Sequence, residues 1–168
     1  MREQRALKGP RRPADTVVAV LGCALVFCFS AVMALQILVW NPAAAAAAAD
    51  PARTGLGSAG GGLDFATPLI ASGVGVALGL ALLVLTLVGV LRRAVVAIAY
   101  LGALVLGYPV YLLASFGNGV HLADEYGVSG GDHALGGLVL GVISAAALIV
   151  LLVLTVRRSA RRPHVRAA

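Results

Sequence analysis

Residues 68–116 read PLIASGVGVALGLALLVLTLVGVLRRAVVAIAYLGALVLGYPVYLLASF, apolar almost throughout and broken by one charged pair, Arg92-Arg93. As a single helix this stretch would be about 73 Å long, against a bilayer hydrocarbon core of about 30 Å. Halved at the arginines, each piece has the length of one crossing. The stretch therefore predicts two membrane helices folded back on each other, with Arg92 and Arg93 at the turn.

The flanking sequence extends this pattern to four spans. Residues 16–40 form a first long apolar run behind Asp15, an N-cap residue, and end at Trp40 with Asn41-Pro42 as a stop signal. Residues 134–156 form the last run. The expected organisation is a basic tail (1–15), helix 1 (16–40), an Ala/Gly-rich linker (41–66) and helix 2 (67–91). A two-residue turn (92–93), helix 3 (94–116), a second loop (117–133), helix 4 (134–156) and a basic tail (157–168) complete it. Thr67-Pro68 reads as N-cap and first turn of helix 2. The fold class is an all-α membrane protein, four transmembrane helices in an antiparallel bundle. A basic start, an apolar run and an alanine tract also resemble a signal peptide, but signal cores run about 7–15 residues and this one is longer. Arg11-Arg12 alone does not make a twin-arginine signal.

Charge sets the expected orientation. Of 13 Lys and Arg residues, five lie in the amino tail, two at the central turn (Arg92, Arg93) and five in the carboxyl tail, opened by Arg157 and Arg158. Arg53 alone falls on the opposite side. The positive-inside rule then puts both termini in the cytoplasm and both longer connections outside. Five of the seven acids, Asp50, Asp64, Asp124, Glu125 and Asp132, belong to the outer connections. The chain is 60% hydrophobic and 12% charged, with mean hydropathy +0.97, a surface too apolar for a water-soluble domain. A pI near 10.2 is thus explained by topology and headgroup anchoring, not by nucleic acid. Arginine-dominated basic residues with abundant Ala, Gly and Val suggest a GC-rich, bacterial genome. Cys23 and Cys28 are five apart, about 140° around a helix, and match no zinc or redox spacing.

Small residues recur at helical spacing: Gly75 and Gly79, then Ala99, Ala103 and Gly107, then Gly137, Gly141 and Ala145. Such faces let membrane helices approach closely, and those of helices 2 and 3 are expected to meet across the hairpin. Pro109 should kink helix 3. Tyr108, Tyr111 and Phe116 around and beyond it read as an interfacial aromatic belt, and Gln36, one turn from Trp40, as reaching the interface.

One cluster has chemical interest. His121, Asp124, Glu125, Asp132 and His133 fall within thirteen positions of the second loop. Imidazole and carboxylate could hold a divalent metal, but the spacing fits no named motif and a Gly-rich loop does not preorganise ligands. A solvated loop, with Asp132 capping helix 4, is the expectation. The four spans contain no Asp, Glu, Lys, Arg or His, the residues that mark ion paths. The expected role is therefore a non-catalytic accessory, scaffold or self-associating membrane component. Its partners would be the bilayer and other membrane proteins or further copies, with no cofactor and no nucleic acid. A small oligomeric pore for a neutral solute, or metal binding by the second loop, are the alternatives.

Overall fold

The computed structural model describes residues 13–50, 62–91 and 93–160. Most of both basic tails, the middle of the first linker and Arg92 lie outside the described residues. Among the described residues every regular element is helical: α1 (Pro13–Ala49), α2 (Ala66–Leu87), α3 (Arg93–Tyr126) and α4 (Gly136–Ala160). All four are long and apolar enough to cross a membrane.

Helix α1 does not stop at Asn41-Pro42. Proline has no N–H, and its ring collides with the carbonyl four residues back in a regular helix. Here the helix widens into a π-turn over Gln36–Trp40, and the Asn41 N–H bonds to the Gln36 carbonyl five residues back. Pro42 then falls in the first turn of the next α segment, where its missing donor costs nothing. Seven alanines, the strongest helix formers, carry it to Ala49. What was expected as the start of a linker is two and a half turns of helix.

The other ends also differ from expectation for identifiable reasons. Asp64, not Thr67, caps α2: its Oδ1 accepts from the Ala66 N–H at 2.9 Å and the Thr67 N–H at 3.2 Å. Helix α2 closes four residues before 91 in a Schellman motif. Gly89 N–H bonds the Thr86 carbonyl at 2.9 Å and Val90 N–H bonds the Leu85 carbonyl at 3.0 Å, with Gly89 at φ +82°. Helix α3 runs ten residues past Phe116 because its buried stripe continues through Ala114, Asn118 and Leu122 at helical spacing. It ends where Gly127, at φ +64°, bonds the Ala123 carbonyl at 2.9 Å. The second connection shrinks accordingly, and α4 continues past Arg157 and Arg158, which lie in its last turn.

The helices form a bundle in which α1 and α3 are the inner pair, each touching the other three. The most extensive interface joins α1 to α2, the next α1 to α3, followed by α3 to α4. Val26, Phe29, Met33 and Ile37 of α1 and Val96, Tyr100, Leu104 and Tyr111 of α3 supply most of the core, all at spacings of three, four or seven residues. Leu82 of α2 and Leu140 and Ala147 of α4 join them. Away from this core, large apolar side chains point outward on every helix; Phe27, Ile70, Leu113 and Leu138 are all more than half exposed.

Candidate functional site

Several buried polar side chains gather at one end of the bundle, where the π-turn of α1, the C-terminal part of α3 and the start of α4 meet. Gln36 opens the π-turn and is fully buried. Its Nε2 donates to the Ala134 carbonyl at 3.2 Å, while Oε1 has no hydrogen-bond partner. Gly136 makes room for it, since a Cβ there would overlap the amide. One turn on, Asn41 Oδ1 accepts the His133 backbone N–H at 2.5 Å. The Tyr111 hydroxyl, 1% exposed, donates to the Asp132 carboxylate. Gly137 lies against both partners, so α4 can approach only because that position lacks a side chain. Tyr108 stacks on Tyr111, ring centroids 5.9 Å apart, and rests against Gly141.

A second polar junction ties α3 to the start of α2. Asn118 is 3% exposed and uses its whole amide on the Asp64 backbone, donating to the carbonyl at 2.9 Å and accepting from the N–H at 2.7 Å. The Asp64 side chain in turn caps α2. The Thr67 hydroxyl, then the Thr67 and Ala66 backbone N–H groups, hold its carboxyl below the usual carboxylate value. Next to this junction the His121 ring covers Gly62, and its Nε2 is buried without a partner.

The five residues considered for metal binding are dispersed. His121 faces Gly62; Asp124 and Glu125 stand exposed on the last turn of α3. Asp132 is engaged by Tyr111, and His133 Nε2 lies 2.8 Å from the Ser129 carbonyl. Among the described residues no three His, Cys, Asp or Glu side chains come together. Asp132 ties α3 to the loop before α4, which begins four residues later. Gln36 is buried inside the bundle, and Tyr108 and Tyr111 turn into it; of that expected belt only Phe116, 72% exposed, faces outward. The tyrosines turn inward because Gly137 and Gly141 leave space for the rings and Asp132 supplies a hydroxyl partner.

The small residues take their places differently from the expected hairpin contact. Gly75 faces Ser30, with an ideal Cβ only 2.5 Å from its Oγ, and Gly79 faces Val26 and Cys23, so both serve α1. Gly107 also serves α1, receiving the Phe29 ring. The reciprocal socket is Gly22 of α1, which receives Tyr100; the Tyr100 hydroxyl reaches on to the Gly79 carbonyl at 3.0 Å. Ala99 and Ala103 are half-buried beside the core. Ala145 is exposed, because two steps of four residues drift about 80° around a helix. The buried line of α4 runs instead through Leu140, Ser144 and Ala147, with Ser144 Oγ donating to the Val105 carbonyl at 2.8 Å. Arg93 opens α3 and is exposed.

Gln36, Asn41, Asp64 and Asn118 are the site residues that composition hides. Gln36 and Asn118 had a usable signal: each sits on the buried stripe of its helix, three residues after Met33 and four after Ala114. Comparison with protein-family models, curated proteins and solved structures gives no match for this chain.

Proposed function

We propose that this chain is an integral membrane protein of four antiparallel spans with both ends in the cytoplasm. It acts as a non-catalytic accessory, scaffold or self-associating component of the membrane. The observation that carries the membrane assignment is the outward apolar surface: all four helices expose large apolar side chains along their length, while Ser30, Gln36, Ser72, Asn118 and Ser144 are buried. Such a surface is stable only when hydrocarbon covers it.

Contact order supports the antiparallel arrangement. Val26 and Ser30 of α1 meet Gly79 and Gly75 of α2, in reverse order. Val105, Tyr108 and Tyr111 of α3 meet Ser144, Gly141 and Gly137 of α4, again in reverse. Gly22 and Phe29 of α1 meet Tyr100 and Gly107 of α3 in the same order, as first and third spans should. The distribution of Lys and Arg supports cytoplasmic ends. The accessory role draws on the use to which polar groups are put. Gln36, Asn41, Asn118, Tyr111 and Ser144 each bond to another part of this same chain. The outer end therefore offers partners a fixed shape.

Reporter fusions after Ala59 and Gly130 should score external and one after Ala168 cytoplasmic; a cytoplasmic score at Ala59 refutes the topology. Purification from membranes should bring down a reproducible membrane partner or a stable oligomer. Near-stoichiometric zinc, copper or manganese in tag-free protein, lost in a His121→Ala, His133→Ala double variant, would replace this proposal with a metal-binding role.

A further inference from the structure

Helices α2 and α3 are tied at two levels, by Asn118 on the Asp64 backbone and by the Tyr100 hydroxyl on the Gly79 carbonyl. Between these ties lies a cavity of about 240 Å³. Ala71, Gly75 and Leu78 line it from α2 and Ala103, Gly107 and Val110 from α3, while Phe29 and Met33 of α1 close its back. Its origin is legible in the packing. Gly75 and Gly107 give their side-chain space to Ser30 and Phe29 of α1, so neither reaches across to the other helix. Ala71 and Ala103 are too short to fill the gap. Val74 and Leu106, both more than half exposed, flank the side that faces away from the bundle.

We infer that this slot seats one acyl chain of an outer-leaflet lipid, an inference that rests on the membrane assignment above. Three observations select that occupant. The lining is apolar except for Ser30, so it suits hydrocarbon and offers nothing to a headgroup. The lined stretches run about 10 Å along each helix, so the cavity is a narrow slot of about 240 Å³. That admits a single hydrocarbon chain, whereas a helix with its side chains is about 10–12 Å across. The depth also fits: Ala71 and Leu78 lie about 7.5 and 18 Å along α2 from its outer end, from the outer half of a core of about 30 Å to just past its middle. An unfilled slot would deprive its walls of dispersion contacts, and an acyl chain restores them.

The test uses the full chain in phosphatidylcholine vesicles containing a trace of phosphatidylcholine with a diazirine midway along one acyl chain. After photolysis, adducts should concentrate on residues 71–78 and 103–110, several-fold above those on the exposed α4 face over residues 142–153. Ala103→Leu or Ala71→Leu, each placing a side chain in the slot, should lower slot adducts to the α4 level. Undiminished α4 labelling in the same molecules reports an intact, inserted protein, and Val74→Ala, which widens the mouth, should preserve slot labelling. Equal labelling of all helices, or slot labelling that survives both filling variants, overturns the inference and leaves the membrane assignment standing. So does a Leu106→Cys variant that cross-links to a second protein chain while the slot stays unlabelled, which would put a partner's side chain there. Absence of adducts on every helix would overturn both.

Discussion

Gly22→Ala adds one methyl group to α1 and sets it against the buried ring of Tyr100. An ideal Cβ at residue 22 lies 2.6 Å from Tyr100 Cγ and 2.8 Å from Cε2, well inside contact distance. Tyr100 is 3% exposed, and its hydroxyl is held by the Gly79 carbonyl at 3.0 Å, so the ring cannot slide without breaking that bond. Overpacking of this kind costs about 1–3 kcal/mol, and the hydrogen bond contributes about 0.5–1.5 kcal/mol. Against these stands the better helix propensity of Ala over Gly, about 1 kcal/mol. The expected net loss is about 1–3 kcal/mol. Gly102→Ala is the matched control: it makes the same chemical change in α3 with nothing within 4 Å of the new methyl, and should stabilise by up to about 1 kcal/mol. Unfolding in mixed micelles of rising dodecyl sulfate fraction, followed by near-ultraviolet circular dichroism, measures both. In a Tyr100→Ala background, Gly22→Ala should lose its cost, a coupling of at least about 1 kcal/mol. Equal stabilisation by the two glycine variants, or an undiminished cost in the Tyr100→Ala background, would refute the socket argument.

Other substitutions follow from the same geometry. Gly79→Ala meets Val26 at an ordinary 3.4 Å and should be tolerated, whereas Gly79→Leu should cost about 1–3 kcal/mol in the micelle assay and Val84→Leu, on an exposed face, under about 0.5 kcal/mol. Asn118→Ala removes both bonds to the Asp64 backbone; it should cost about 1–3 kcal/mol and speed amide exchange at Asp64 and Ala66 without changing the middle of α2. Asp64 has a folded pKa depressed by Thr67 and Ala66, so its contribution is present above the unfolded carboxylate value, about 3.9, and is lost as pH falls through the lower folded value. Acid titration of stability should therefore show a limb below about pH 4 that Asp64→Ala diminishes.

The number of helices was legible in the sequence because hydropathy is additive over some twenty residues and four runs exceed any soluble alternative. The ends were less so. Asn41-Pro42 signals a stop in a regular helix, and only a π-turn, which no local residue announces, lets α1 pass it. Gly117 and Gly119 resemble loop glycines; Gly119 instead packs on the Gly130 backbone near the C-terminal end of α3, a contact between residues brought together by the return of the chain. Small-residue spacing located helix faces but not their partners. Gly75, Gly79 and Gly107 were visible as approach points, yet which helix approaches depends on α1, whose Phe29, Ser30 and Val26 fill them. The outer polar junctions were the least legible, because Gln36, Asn41 and Asn118 carry no motif and acquire their roles only through residues more than fifty positions away.

Those junctions bear directly on what the outer end can do. To gather His121, Asp124, Asp132 and His133 round one ion, His133 Nε2 would have to leave the Ser129 carbonyl and the Asp132 carboxylate would have to leave the Tyr111 hydroxyl. Each broken bond leaves a polar group needing a new partner, at about 1–3 kcal/mol apiece. A structural zinc site supplies about 10–16 kcal/mol, enough to drive such a rearrangement, but the bundle would change with it: α4 would lose its tie to α3 just where Gly137 allows their close approach. A ligand-gathering loop and a clamped loop are thus alternative states of one segment. In the clamped state the exposed carboxylates of Asp124 and Glu125 stand on the last turn of α3.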